Sequence, residues 1–105
     1  MPIFTTVRGR LNHADPNAAM ELHNSIVADL RPRNQPLGGV GHRVFGNVQD
    51  PLEFLALDTW ETMEGLQQAF GNPDTQARMG SMFDGPPEVA IWSRRDGWTK
   101  FGPSA

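Results

Sequence analysis

The feature that most constrains the fold is a stretch near the middle of the chain that is apolar on both sides of a strand. Side chains alternate along a strand, so Phe54 and Ala56 would point to one face and the leucine after each of them to the other. A strand with two apolar faces must be covered on both sides. The stretch Leu52 to Trp60 is therefore predicted to be a central strand with a layer on each face.

The segments around this strand alternate between strand and helix patterns. β-branched and aromatic runs predict strands, and apolar residues at helical spacing between capping and proline signals predict helices. The predicted elements are a strand at Ile3 to Gly9, a helix from Asp15-Pro16 to Arg31-Pro32, strands at Leu37 to Phe45 and Leu52 to Trp60, a helix capped by Thr62, and a strand at Val89 to Arg94.

The second helix is predicted in two pieces, because Asn72-Pro73-Asp74 interrupts and restarts it. We expect it to continue until Asp84-Gly85-Pro86, so that Met82 and Phe83 lie on it.

The order β-α-β-β-α-β predicts one ferredoxin-like α+β domain over residues 1–105, with an antiparallel four-stranded sheet and both helices on one face. The last strand is also apolar on both faces, because Val89 and Ile91 alternate with Ala90 and Trp92. One chain cannot cover both faces of its sheet. A second copy packed sheet against sheet would do so, and we therefore predict a homodimer that forms a dimeric α/β barrel.

The composition argues against several classes of function. Nine Lys and Arg residues against twelve Asp and Glu give a formal net charge of −3, which predicts no basic face for nucleic acid or an anionic membrane. Without cysteine there are no disulfides, thiolate zinc sites or iron–sulfur clusters. No apolar run approaches the ~20 residues of a membrane span, and the first residues lack a signal-peptide pattern. We expect a cytoplasmic protein.

The stretch Phe54 to Leu66 resembles the dimeric α/β-barrel superfamily and, within it, the antibiotic-biosynthesis-monooxygenase-like proteins. These typically have a hydrophobic strand, an acid two residues before a tryptophan, a capped turn and a leucine six residues after the tryptophan. The residues that match this pattern are Asp58, Trp60, Thr62 and Leu66. Pro73 matches a proline at which the family often breaks its second helix. The resemblance implies a dimeric barrel that encloses a small-molecule site.

The chain departs from these relatives where several of them carry their chemistry. Ala69 and Asp74 stand where members often have histidine, and no tyrosine is present for quinone-forming chemistry. Haem-degrading relatives use an asparagine on the first strand, where this chain has Thr5 and Thr6, and no histidine follows Trp60 to bind a haem iron. The histidines also lack a spacing typical of a metal site. We therefore expect neither metal nor cofactor.

His42 and Asp58 are the predicted catalytic residues. They share a face of the sheet if the numbers of residues paired across the second and third strands add up to an even number. A slip of one residue in this pairing would put them on opposite faces. A histidine oriented by a carboxylate inside a barrel is suited to act as a general base. Alternatively, His42 is a hydrogen-bonded core residue or lies at the dimer interface.

Four further residues are predicted to bind substrate. Trp60 and Trp92 would form walls of the site, although strand tryptophans also serve as core residues. Arg8 and Arg43 would hold an anionic group, or they are charges that keep strand edges soluble.

Two other features have structural interpretations. The glycines around Val40 mark either a bulge or room for a ligand. His23 is interpreted as a boundary residue at the edge of the apolar stripe of the first helix.

These residues predict a small-molecule enzyme of the monooxygenase-like kind, with cofactor-independent oxygenase, isomerase or cyclase chemistry on a small apolar or aromatic substrate. His42 would be the base and Asp58 its orienting carboxylate. The alternative is a non-catalytic small-ligand-binding or dimerisation module in the same barrel. Haem binding is the third hypothesis, which the absent histidine disfavours.

Overall fold

The predicted four-stranded antiparallel sheet is present, and the doubly apolar strand has an inner position in it. The computed structural model describes residues 2–103, and the strand order is β2-β3-β1-β4. The elements are β1 (Ile3–Arg10), α1 (Pro16–Asn34), a short 3-10 helix (Gln35–Leu37), β2 (Gly39–Asn47), β3 (Asp50–Trp60), α2 (Met63–Phe70), α3 (Pro73–Gly80) and β4 (Glu88–Ser93). This is the ferredoxin-like α+β arrangement, with the second helix divided in two.

The helix starts lie where the capping residues predict them. The Asp15 carboxylate accepts a hydrogen bond from the backbone N–H of Asn17 at 3.0 Å, and the Thr62 hydroxyl oxygen accepts one from Gly65 at 3.1 Å. Asn72 caps α3 in the same way. Each cap satisfies a backbone donor that the first helical turn leaves free.

Two helix ends differ from the prediction. Pro32 lies inside α1, which continues to Asn34, because a proline near the end of a helix removes one backbone hydrogen bond and the chain keeps its helical path for another turn. At the other end, α3 stops at Gly80. Met82 and Phe83 are buried beyond it, and Phe83 forms an isolated bridge with Leu11. Both side chains are therefore buried by an irregular segment that follows α3, and they do not belong to the helix.

The main core lies between one sheet face and the helices. Val7 of β1 and Phe54 of β3 pack there against Leu30 of α1. A second cluster joins Trp60 to Leu66, which is 1% exposed. The helices thus cover one of the two apolar faces of β3.

Ion pairs connect the outer surfaces of α1 and α3. The Arg33 guanidinium, 2.7 Å from the Asp74 carboxylate, lowers the pKa of that carboxyl, and Arg78 adds to the effect. Arg78 also pairs with Asp29 of α1 at 2.7 Å, which raises the pKa of the guanidinium. These exposed pairs align the helices and add little to stability.

Among residues 2–103, no helix is long and apolar enough to cross a membrane.

Candidate functional site

His42 and Asp58 face each other across neighbouring strands and form a hydrogen bond. They are directly paired in the β2–β3 ladder, so the numbers of paired residues add up to an even number and the two side chains lie on the same face. The His42 Nδ1–H donates to Asp58 Oδ1 at 2.5 Å. The Asp58 side chain is 16% exposed and that of His42 is 35% exposed. A hydrogen bond to a carboxylate fixes the orientation of the imidazole ring.

His23 joins this pair from α1. Its Nε2 lies 2.9 Å from His42 Nε2, and the two rings stack with their centroids 5.1 Å apart. Its other ring nitrogen, Nδ1, lies 3.0 Å from the side-chain oxygen of the exposed Asn24. His23 is thus part of the site. A sequence signal was available, because it is the one polar residue in the buried series with Ala19, Ile26 and Leu30 at helical spacing.

The network ends on β1 with Thr5. This threonine has no exposed surface, and its hydroxyl donates to Asp58 Oδ2 at 3.5 Å. Thr5 is the direct ladder partner of Asp58 and belongs to β1, an inner strand of the sheet. A buried residue of the sheet therefore binds the second carboxylate oxygen. The four side chains Asn24, His23, His42 and Asp58, together with Thr5, therefore form one hydrogen-bonded chain across α1 and three strands.

The glycine-rich start of β2 contains an irregularity in the ladder. The register shifts between Gly39 and Gly41, which is consistent with a bulge. Gly39 also allows a close approach, because a Cβ there would lie 3.3 Å from the Trp60 ring and 3.1 Å from a backbone oxygen. Both glycines line the cavity described next, and the register shift favours the bulge interpretation.

A cavity of about 420 Å³ lies between the helices and the sheet, and the histidine pair forms part of its wall. This volume is typical of small-molecule sites. Its walls are mainly apolar, with Val27, Phe54 and Phe83 among them. Asp58 is the only carboxylate among the described residues of the wall, and Arg31 and Arg43 are the cationic ones. An apolar cavity with one cluster of polar groups can hold a flat ligand and exchange a proton with it.

Trp60 lines the same cavity. Its side chain is 3% exposed and its ring packs edge-on against Phe70 at 6.1 Å. Within residues 2–103, the buried indole Nε1–H has no hydrogen-bond partner. An unpaired buried donor costs about 1–3 kcal/mol, so the position of this ring lowers the stability of the fold.

The other predicted binding residues divide between two cavities. Arg43 pairs with Leu57 on the outer face but is also among the residues that line the cavity of the histidines, and its guanidinium donates to the His42 carbonyl oxygen at 3.2 Å. Arg8 and Trp92 line a second cavity of about 480 Å³ on the outer face, away from the histidines. Arg8 pairs with Glu53 at 3.3 Å, and the Trp92 indole N–H donates to the Thr6 hydroxyl at 2.8 Å. The structure does not bring these two residues to His42.

Over residues 2–103, no group of three or more His, Cys, Asp or Glu side chains is arranged to hold a metal ion.

The fold and this site define a ferredoxin-like domain with a histidine–aspartate pair in an apolar cavity beneath its sheet. A scan against protein-family models finds no match, and a search of curated proteins finds none. Solved structures do match over nearly the whole chain. One is SnoaB, a cofactor-independent oxygenase from Streptomyces nogalater, with a TM-score of 0.72, 13% identity and coverage of 94% of this chain and 98% of that one.

Two further structures have the same fold. A conserved protein from Methanosarcina mazei Go1 matches with a TM-score of 0.72 and 14% identity, over 90% of this chain and 94% of that one. An antibiotic biosynthesis monooxygenase matches with a TM-score of 0.68 and 11% identity, over 89% and 98%. The chain therefore has the fold of the antibiotic-biosynthesis-monooxygenase-like proteins, and the resemblance stated from the sequence is confirmed at that level.

Proposed function

We propose that the chain is a small-molecule enzyme that performs cofactor-independent oxygenase or isomerase chemistry on a small aromatic substrate in the cavity beneath the sheet. The observation that carries the proposal is the hydrogen-bonded Asp58–His42–His23 series in the wall of an apolar cavity. The likeness in fold to SnoaB, a cofactor-independent oxygenase, supports it. The reaction is proposed to take place in the cytoplasm, as the sequence predicts.

The chemistry requires an electron-rich anion in a place that excludes water. The imidazole pair, held by Asp58, would remove the proton of a phenolic hydroxyl group. The chain lacks the tyrosines of quinone-forming relatives, so the histidine pair would take the role of the base. A phenol with an unsubstituted carbon opposite its hydroxyl is then oxidised by O₂ to a quinone. One oxygen atom of O₂ becomes the new carbonyl oxygen and the other leaves as water.

The test begins with native mass spectrometry of the purified protein, to detect a co-purified ligand. The protein is then incubated with 1-naphthols under ¹⁸O₂, with a chelator present. We expect a quinone that carries one ¹⁸O atom, or, for isomerase chemistry, exchange of a substrate C–H with solvent deuterium. Binding without either reaction would favour the ligand-binding module, and neither binding nor reaction across the panel would refute the proposal.

A matched pair of variants locates the reaction. Val27 of α1 lines the cavity, whereas its neighbour Ala28 is exposed and does not. A tryptophan at position 27 would fill the cavity, so Val27→Trp is expected to lower turnover at least about tenfold while Ala28→Trp keeps it.

We also propose that two copies pack through the outer faces of their sheets. This face carries Phe4, Leu55 and Leu57, and the side chains of Phe45 and Trp92 are about half exposed on it. Face-to-face packing of two such sheets would bury these residues in an interface related by a two-fold axis. Arg8 and Trp92 are then proposed to be interface residues. The dimeric barrel expected for this superfamily supports the arrangement.

Sedimentation equilibrium tests the dimer. We expect a species of twice the 11.6 kDa chain mass at micromolar concentration. Phe45→Glu would place a charge in the interface and is expected to weaken association at least about tenfold. Val48→Glu is the control, because Val48 is fully exposed at the tip of the same hairpin. A wild-type monomer under these conditions would contradict the proposal.

A further inference from the structure

The number of protons on the histidine pair depends on which atom of the Asn24 amide faces His23, and in the structure it is the oxygen. The His42 Nδ1 bears a hydrogen, because its partner is the Asp58 carboxylate. One hydrogen lies between the two Nε2 atoms. The His23 Nδ1 also bears a hydrogen, because its partner is the side-chain oxygen of Asn24. Three hydrogens on two rings give the pair one positive charge, which the Asp58 carboxylate balances.

The same pair can hold one proton fewer without losing a hydrogen bond. If the Asn24 amide rotates by 180°, its NH₂ group donates to the His23 Nδ1, which then carries no hydrogen. Both rings are then neutral. Asn24 is exposed on α1, so its amide rotates freely. The proton that the pair gains or releases is therefore the one on the His23 Nδ1.

His42 has no nitrogen available to a ligand in this arrangement. Its Nδ1 is bound to Asp58 and its Nε2 to His23. His23 lines the cavity, and its Nδ1 is bound only to an exposed amide that a ligand could displace. The charged side chains that line the cavity around the pair are Arg31 on α1, Arg43 on β2 and Asp58 on β3. Asp58 is thus the group that balances a charge on the pair.

We infer that His23 is the residue that exchanges the proton with the ligand, and that His42 is a positioning residue that links it to Asp58. This inference rests on the proposed function and deepens it. The O–H bond of a phenolic ligand breaks, its proton forms the N–H bond at His23 Nδ1, and the electron pair stays on the ligand oxygen. The ligand takes the place of the Asn24 amide during this transfer, and the pair passes from two protons to three. When the ligand leaves, the amide oxygen accepts from the new N–H.

Nitrogen NMR of the ligand-free, ¹⁵N-labelled protein tests the shared proton without any substrate. We expect a scalar coupling between the two Nε2 atoms that is absent from His23→Gln and from His42→Gln. At low pH a fourth proton would bind, and each Nε2 would then carry its own hydrogen. The hydrogen bond between the two Nε2 atoms would be lost, so the coupling is expected to vanish. Two rings without coupling that titrate independently would overturn the inference.

The role of Asn24 has its own variant. A carboxylate at this position can only accept, so Asn24→Asp is expected to keep the third proton on the pair to a pH about one unit higher. Ser25→Asp adds the same charge at the neighbouring exposed position and is the control. Equal shifts in the two variants would show that charge alone acts, and would contradict the switch at Asn24.

Turnover tests whether His23 is needed for the reaction. His23→Gln is expected to lower it by about 100-fold or more, since the proton-accepting nitrogen is lost. Unchanged turnover in this variant would mean that the freed His42 Nε2 meets the ligand directly, and the inference would be wrong. If no substrate is turned over by any form of the protein, the proposed function fails while the NMR result still decides whether the proton is shared.

Discussion

Replacing His42 with glutamine is expected to lower turnover by about 100- to 10,000-fold, the range that proton transfer contributes, because the histidine pair acts as one unit. Glutamine has a similar size and can keep a hydrogen bond to Asp58 or to His23, but it has no ring nitrogen that shares a proton with His23. The loss should appear in kcat, measured with whichever 1-naphthol the wild-type protein oxidises fastest. The folded structure should persist, because the His42 side chain is about one-third exposed.

His13→Gln is the matched control for this variant. His13 is the remaining histidine and does not line the cavity, so its replacement should leave turnover unchanged. Asp58→Asn adds a second comparison: the amide oxygen can still accept from His42 Nδ1, but the negative charge is gone. A partial loss is expected there. If His42→Gln keeps wild-type kcat, the link from Asp58 to His23 is not needed for the reaction.

Replacing Gly65 with alanine is expected to destabilise the fold by about 3 kcal/mol. A Cβ at this position would overlap the backbone oxygen of Leu37, and backbone cannot rotate away as a side chain can. Helix α2 would have to move from the segment that leads into β2. For a domain of this size, that loss corresponds to a fall in Tm of about 12–24 °C, measured by thermal unfolding followed by circular dichroism.

Gly80→Ala is the control, because Gly80 ends α3 and a Cβ there meets no atom within 4 Å. Alanine also restricts the unfolded chain and favours helix, so this variant should gain about 0.4–1 kcal/mol. Similar Tm changes in the two variants would show that the close approach at Gly65 does not limit stability.

The sequence predicts the sheet and its pairing because both depend on alternation and local signals. The two apolar faces of Phe54 to Leu57 place β3 at an inner position, and the capping residues place the helix starts. Whether His42 and Asp58 share a face depends on the register of the β2–β3 hairpin. The sequence leaves two outcomes, the same face or opposite faces, and the structure shows the one that brings the side chains together.

The position of His23 depends on tertiary geometry that the chain does not encode locally. The helical pattern shows that this residue lies beside the apolar stripe, but not that α1 crosses above β2 so that the two rings meet. The separation of Arg8 and Trp92 from the histidines is similar. A pattern with apolar residues on both faces does not tell which face the helices cover, and these two residues lie on the other one.

The cavity lined by the histidine pair is also part of the core of the protein, and this links ligand binding to folding. Val7, Leu30 and Phe54 both hold the sheet to the helices and line the cavity. A molecule that fills this space binds only the folded chain, so it adds about 2.7 kcal/mol to the free energy of unfolding at 100 times its Kd. In a domain of this size, that is a rise in melting temperature of about 10 °C or more. The thermal stability of the chain is thus itself a reporter of its ligand, including one whose reaction is unknown.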